Sequence, residues 1–176
     1  MSEVESGDEI AAFWELARRE VGLGRLGVIV GPSPSESVPP PAWAFGDSPE
    51  LADELLALVL AGAKTATSSG AWEYDDEATM PAEGDLSIIL DGRGHPRALV
   101  RTTTVRVVPF AEVDADFARL EGEDDLSLET WRVGHEVYFR RNLAAQGATF
   151  DPARPVVLEQ FEVRFPRESH PVLDDH

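Results

Sequence analysis

A single lysine is the residue of this sequence best suited to acid–base chemistry. The chain has 15 Lys and Arg residues, and all of them except Lys64 are arginines. Arginine stays protonated in proteins, whereas a buried lysine can lose its proton and act as a base or a nucleophile. A lysine retained in a sequence that otherwise uses arginine therefore indicates chemistry that arginine cannot supply.

The residues before Lys64 predict a capped amphipathic helix that positions it. Ser48 is a favoured N-cap residue, Pro49 suits the first helical position, and Gly62 is typical of the residue that follows a helix end. The face that would be buried has apolar residues at helical spacing: Leu51, Leu55, Leu58 and Val59. Lys64 would therefore lie directly after the end of a helix.

The residues after Lys64 predict a β-strand, because residues 64–69 are rich in threonine and serine. Thr67 is a candidate partner of Lys64, three positions further on. On a straight strand, residues three apart face opposite sides, so the two share a pocket only if the backbone turns near Gly62.

The remaining sequence predicts an α+β domain with a mainly antiparallel, barrel-like sheet. Helices are predicted over residues 7–22, 115–120 and 128–145, and strands over 86–90, 97–108 and 155–165. We divide the chain into an N-terminal helix and proline-rich loop packed on the main domain (1–42), the main domain (43–166) and a loose tail (167–176).

Composition limits the possible functions. The net charge of −18 repels phosphate backbones, which disfavours tight non-specific binding to DNA or long RNA. The absence of cysteine excludes disulfides, thiolate catalysis and cysteine-ligated zinc. We expect no cofactor. We also expect no metal site, since the acidic residues 75–77 are interpreted as solvent-exposed charges. The N-terminus lacks the features of a signal peptide, and we expect a cytoplasmic protein with no membrane association.

Several motifs together resemble the ASCH domain family. They are Phe45-Gly46-Asp47, the Gly-x-Lys-x-x-Thr pattern at 62–67, Pro81-x-x-Gly84-Asp85, Thr102-Thr103-x-Val105, and the run from Glu121 through Ser127-Leu128-Glu129-x-Trp131-Arg132 to His135. The resemblance covers residues 43–166 and is to the longer bacterial members. It implies a PUA-like β-barrel with flanking helices, and a ligand that is RNA, a nucleotide or a modified base.

The resemblance also implies site residues. Some family members are described as ribonucleases, and others remove an acyl group from an acylated cytidine. The functional residues of the latter correspond to Lys64, Thr67 and Glu121, with Glu123 as an alternative to Glu121. In this hypothesis Lys64 is the base, Thr67 the nucleophile, and Glu121 shuttles the proton or orients the lysine. Alternatively, protonated Lys64 binds an oxygen of the ligand.

Further candidates would bind the substrate. They are the aromatic residues Trp43, Trp72 and Tyr74, which could stack on a base, and the polar residues Ser127, Arg132 and His135. Ser127 has a second interpretation as a helix N-cap, and His135 as a structural residue.

The main hypothesis is a hydrolase acting on an N-acylcytidine-type nucleoside or on RNA. The first alternative is a ribonuclease on short single-stranded RNA, with a local basic surface formed by Arg101, Arg132, Arg140 and Arg141. The second alternative is a non-catalytic module that binds RNA or a nucleotide.

Overall fold

The computed structural model describes residues 3–23 and 38–167. Within these residues there are four α-helices: α1 Glu3–Glu20, α2 Pro49–Leu60, α3 Ala115–Glu121 and α4 Leu128–Ala145. There are five strands: β1 Ala42–Trp43, β2 Ala66–Gly70, β3 Leu86–Leu90, β4 Pro96–Pro109 and β5 Pro155–Phe165. This confirms the predicted α+β class. The predicted proline-rich loop 31–41 and the tail 167–176 lie mostly outside the described residues.

The described strands form one mixed sheet in the order β1-β3-β4-β5-β2. β1 runs parallel to β3, and the other three pairs are antiparallel. The register of β4 with β5 shifts at two points of β4, once between positions 99 and 100 and once between positions 102 and 104. Such bulges bend a sheet. The predicted barrel is not closed in the described structure, because the edge strands β1 and β2 do not pair with each other.

Three apolar clusters hold the helices against this sheet. The first joins α3 and α4 to β5 around Phe117, Trp131 and Phe139. The second packs α2 and Phe45 against β3, β4 and β5. The third places Trp14 and other residues of α1 on β3 and β4. No helix in the described ranges has the length and hydrophobicity that crossing a bilayer requires.

The connection between α2 and β2 fixes the start of the candidate motif. The Ser48 side chain caps α2 as predicted, accepting a hydrogen bond from the Leu51 amide at 3.2 Å. Gly62 takes a positive φ of 74° just after the helix end. The amides of Ala63 and Lys64 then donate to the Leu58 carbonyl at 2.9 and 3.1 Å. The chain thus turns sharply out of α2 before it enters β2.

The end of α3 lies directly against this connection. Thr65 donates its amide to the Leu120 carbonyl at 2.8 Å. Gly122 takes a φ of 70°, and a Cβ atom at this position would lie 2.2 Å from the Ala63 carbonyl oxygen. The close approach requires a glycine, and it brings Glu121 next to Lys64.

We predict that Gly122→Ala destabilises the fold much more than the matched change Gly147→Ala. Both glycines have a positive φ, but a Cβ atom at Gly147 meets nothing within 4 Å. Both variants incur the left-handed backbone cost of about 1–2 kcal/mol, and Gly122→Ala adds an overpacking cost of about 1–3 kcal/mol. Urea unfolding followed by circular dichroism measures both. Equal destabilisation would show that the contact with Ala63 does not constrain the fold.

Candidate functional site

Lys64 is the largest fully buried side chain of the described chain, with only 1% of its surface exposed. Its ammonium group meets three acceptors. Nζ lies 2.5 Å from Glu123 Oε1, 3.4 Å from Glu121 Oε2 and 3.4 Å from the Glu121 carbonyl oxygen. Because an ammonium group has three N–H donors, these contacts use its full donor capacity.

The aromatic ring of Phe45 lies on another side of the same ammonium group. The Lys64 Nζ is 5.3 Å from the ring centroid, which is within the range of a cation–π interaction. Phe45 in turn contacts Trp43 edge-to-face, with ring centroids 4.8 Å apart. The Lys64 ammonium group therefore lies between the carboxylates of Glu121 and Glu123 and the ring of Phe45, which belongs to the second apolar cluster.

Glu121 is almost completely buried, and it links Lys64 to His135 of α4. Its Oε2 atom lies 3.3 Å from His135 Nε2. Burial on its own would raise the pKa of Glu121, but the hydrogen bond from His135 and the positive charges of Lys64 and His135 lower it to about 2. Ser68 contributes to this lowering, although neither Ser68 Oγ nor Glu121 Oε1 has a hydrogen-bond partner of normal geometry among the described residues.

His135 is held between two acceptors, which favours its charged form. Nδ1 lies 2.8 Å from the Trp131 carbonyl oxygen, and Nε2 faces the ionised Glu121. Burial would lower the pKa of His135, but the hydrogen bond and charge of Glu121 raise it above its ordinary value. The ring also stacks on Trp131 with centroids 4.1 Å apart. The two cations and two carboxylates of this Lys64 network balance each other.

The same donors have the spacing of a metal site. Ligand atoms of Glu121, Glu123 and His135 lie within 4.8 Å of one another. Lys64, however, contacts both carboxylates, and His135 Nε2 is directed at Glu121. In the described structure both carboxylates are therefore paired with Lys64, and Glu121 also with His135, although Glu121 Oε1 has no hydrogen-bond partner.

Glu123 is the most accessible member of the network, with 24% of its side chain exposed. It belongs to a short loop, residues 122–126, in which Asp124 and Leu126 have positive φ values of 51° and 64°. Such backbone conformations cost about 1–3 kcal/mol each at non-glycine residues. Glu123 thus covers Lys64 from a strained loop at the surface.

Thr67 is not joined to this network. Within the described residues its side chain makes no hydrogen bond, and in the sheet it lies opposite Glu159 of β5. Its neighbours along the strand, Ala66 and Ser68, face the α3 side, where Ala66 belongs to the core and Ser68 lies near Glu121. Alternation along a strand directs Thr67 to the opposite face. The structure brings together Lys64, Glu121 and Glu123, and it separates Thr67 from them.

The other predicted site residues have contacts within the fold, and their substrate binding stays a prediction. Trp72 donates to Asn142 Oδ1 at 2.7 Å and contacts the Phe139 ring edge-to-face. Arg132 donates to the carbonyl oxygens of Ala111 and Val113 at 3.0 and 3.2 Å. Ser127 Oγ caps α4, as its second interpretation predicted.

Two of the predicted aromatic residues remain near the surface. Trp43 and Tyr74 are both half-buried. The Tyr74 hydroxyl lies 2.7 Å from Ser69 Oγ, on the strand face that carries Thr67. Tyr74 therefore remains a candidate for stacking on a base beside the strand face that carries Thr67.

Sequence reasoning missed two features of this region. Glu121 was predicted as a catalytic group, but its pairing with His135 was not, since fourteen positions and a helix cap separate them. Glu159 was not predicted as a site residue either. Its position was a visible signal, because a carboxylate follows three apolar residues of the strand, 156–158, and precedes Phe161.

Comparison with known proteins identifies the family. A family model of the ASCH domain matches residues 41–164. The chain belongs to the ASCH domain family. The fold is similar to the crystal structure of an ASCH domain from Lactobacillus crispatus JV V101, at 27% sequence identity and a TM-score of 0.68, covering 83% of this chain and 94% of that one. The search of curated proteins found no match.

A second similar crystal structure is that of a protein from Enterococcus faecalis V583. It is 34% identical, with a TM-score of 0.68, and the alignment covers 86% of this chain and 96% of that one. The two crystal structures align with 83% and 86% of this chain, which is more of the chain than residues 41–164 matched by the family model. The likeness therefore extends over most of this ASCH protein.

We predict that Glu121→Gln destabilises the protein at pH 6 and that the effect shrinks in acid. Removing one partner of a buried ion pair costs about 3 kcal/mol. The folded pKa of Glu121 lies below its unfolded value of 4.5. Its stabilising contribution is therefore present above pH 4.5 and is lost as the pH falls toward 2. Urea unfolding at pH 6, 4 and 3 measures the difference.

The matched control for this prediction is Glu54→Gln, at an exposed position of α2. A surface change of this kind is expected to alter the free energy of unfolding by less than about 0.5 kcal/mol at each pH. A Glu121→Gln difference that stays constant from pH 6 to pH 3 would contradict the assignment of an ionised Glu121.

Proposed function

We propose that this ASCH protein is a hydrolase that removes an acyl group from the exocyclic amide of a modified, N-acylcytidine-type nucleoside. The observation that supports it best is the buried Lys64, held by two carboxylates at the start of the strand that carries Thr67. A charged group buried in this way is unusual for structural purposes alone, because a hydrophobic residue would pack at lower cost.

The geometry favours Lys64 as the group that binds the acyl oxygen. All three of its N–H donors face acceptors, which are the contacts of an ammonium ion and not of a free base. In the proposed complex, the acyl oxygen replaces the accessible Glu123 carboxylate on Lys64. The ammonium group then stabilises the negative charge that develops on this oxygen during attack.

Glu121 acts in this proposal as a positioning residue. Its ionised carboxylate, oriented by His135, holds the Lys64 ammonium group in place whether or not Glu123 has moved. Thr67 keeps the role of nucleophile. In the proposed complex Thr67 attacks the acyl carbon while Lys64 binds the oxygen bonded to it. The proposal therefore requires the Thr67 hydroxyl and the Lys64 ammonium group to reach the same carbonyl group of the bound substrate.

The electrostatics favour a small substrate over RNA. Each of the four arginines considered for a basic surface already has a partner: Arg101 pairs with Glu162, Arg132 with two carbonyl groups, Arg140 with Glu136 and Arg141 with Asp47. A net charge of −18 adds long-range repulsion of phosphates. The ribonuclease alternative therefore has less support than the nucleoside hydrolase.

A non-catalytic nucleoside-binding module is the second candidate. It is favoured by the resting contacts, in which Glu123 covers Lys64 and Thr67 makes no hydrogen bond to the network. The two candidates differ in a single observable, because both bind a nucleoside and only one releases the acyl group.

The test is turnover of N-acetylcytidine and of a short single-stranded RNA, with product release followed by chromatography. We expect wild type to hydrolyse the nucleoside, and we expect Lys64→Met and Thr67→Val each to lower kcat/KM by about 100-fold or more. Thr104→Val is the control, since this half-buried β4 threonine lies outside the proposed site and should keep full activity.

Other outcomes identify the alternatives. Cleavage of the RNA alone would support a ribonuclease. Binding of cytidine without turnover of either substrate would support the binding module. Full activity of Lys64→Met would contradict the role of the ammonium group.

A further inference from the structure

Glu159 on β5 is a largely buried carboxylate without a cationic partner. Its one hydrogen bond comes from Thr102, whose hydroxyl donates to Oε1 at 2.5 Å. Among the described residues, no salt bridge and no other hydrogen bond involves its side chain. Burying a carboxylate without a cationic partner costs free energy, because buried charges are normally paired. Such a residue is therefore a candidate for a functional role.

The sheet register places Glu159 opposite Thr67. The two are paired in the antiparallel β2–β5 ladder. Directly opposite residues project to the same face, with Cβ atoms about 4.5–5.5 Å apart. A carboxylate oxygen on one strand and a hydroxyl on the other can therefore meet by rotamer changes alone. No other charged residue of the described structure stands in this relation to Thr67.

The same face leads from Glu159 to the Lys64 ammonium group. Phe161 lies two residues further along β5, and its ring centroid is 6.1 Å from that of Phe45. Phe45 is in turn the ring beneath Lys64 Nζ. The Phe45 and Phe161 rings thus link the Lys64 ammonium group to the sheet face that carries Glu159 and Thr67, whereas Glu121 lies near Ser68 on the other side of β2.

We propose that Glu159 is the general base that takes the proton of Thr67, while Lys64 binds the acyl oxygen. This inference rests on the proposed hydrolase function and assigns the step that takes the proton of Thr67. Glu121 stays paired with Lys64 and His135, and neither Glu121 nor Glu123 lies opposite Thr67 in the sheet. Glu159 is the carboxylate that faces the nucleophile.

The reaction has two balanced steps. In the first step Thr67 Oγ bonds to the acyl carbon and its proton passes to Glu159. The bond between the acyl carbon and the exocyclic nitrogen of the cytosine then breaks, and Glu159 gives the proton to that nitrogen. The acyl group is then an ester of Thr67. Water attacks this ester and gives a proton to Glu159, which returns it to Thr67 Oγ as the carboxylic acid leaves. Water is the only co-reactant, and no atom changes its oxidation state.

The surroundings of Glu159 suit a proton acceptor. Burial raises its pKa above the ordinary value, the Thr102 hydrogen bond opposes that rise, and the negative charge of Asp85 adds to it. Tyr74 is a further titratable neighbour, whose own pKa is raised mainly by burial and also by the negative charges of Glu159 and Glu73. A carboxylate with a raised pKa is a stronger base near neutral pH than an exposed one.

The test combines three variants with the pH dependence of kcat on N-acetylcytidine. We expect Glu159→Gln to lower kcat by about 100-fold or more with little change in KM, because a general base contributes that much. We expect Thr102→Val to shift the acid limb of the profile to higher pH, since it removes the hydrogen bond that lowers the pKa of Glu159. Glu162→Gln, on the same strand, is the control and should change neither quantity.

Separate outcomes test the inference and the function on which it rests. Absence of turnover in wild type would overturn both. Turnover in wild type that survives in Glu159→Gln, or an acid limb that Thr102→Val leaves in place, would overturn the role of Glu159 alone. Circular dichroism and cytidine binding confirm that each variant is folded, so that a loss of kcat is not a loss of structure.

Discussion

The burial of the Lys64 ammonium group is the constraint on which the rest of the structure depends. A buried charge needs compensating charges at hydrogen-bond distance, and these come from the end of α3 and the loop after it. Glu121 in turn needs His135, which fixes how α4 packs against α3. The close contact of Gly122 with Ala63 follows from the same requirement, since the two segments must meet for the ion pair to form.

Local sequence patterns predicted the elements that surround this network, and they did so for physical reasons. Ser48 and Ser127 cap helices through hydrogen bonds to residues three positions away, which a sequence displays directly. The barrel was harder to predict, because closure depends on whether two distant edge strands pair. β1 has only two residues, and it pairs with β3 alone among the described strands.

The candidate site was partly predictable for a similar reason. Lys64 stood out by residue type, and the family resemblance added Glu121. The partners of these residues were not evident, because the contact between Glu121 and His135 depends on helix packing, and the position of Thr67 opposite Glu159 depends on strand register. A shift of one residue in the β2–β5 ladder would place Thr67 opposite a different side chain and on the other face.

The strand β2 separates two kinds of polar environment, and the proposed hydrolase uses both. On the α3 side, charges are paired and fixed, which suits holding an oxygen without transferring protons. On the opposite side, Glu159 has no cationic partner among the described residues, accepts a hydrogen bond from Thr102 and lies opposite Thr67 in the sheet, which suits proton transfer. Amide hydrolysis needs both, since the oxygen must be stabilised while the nucleophile loses a proton.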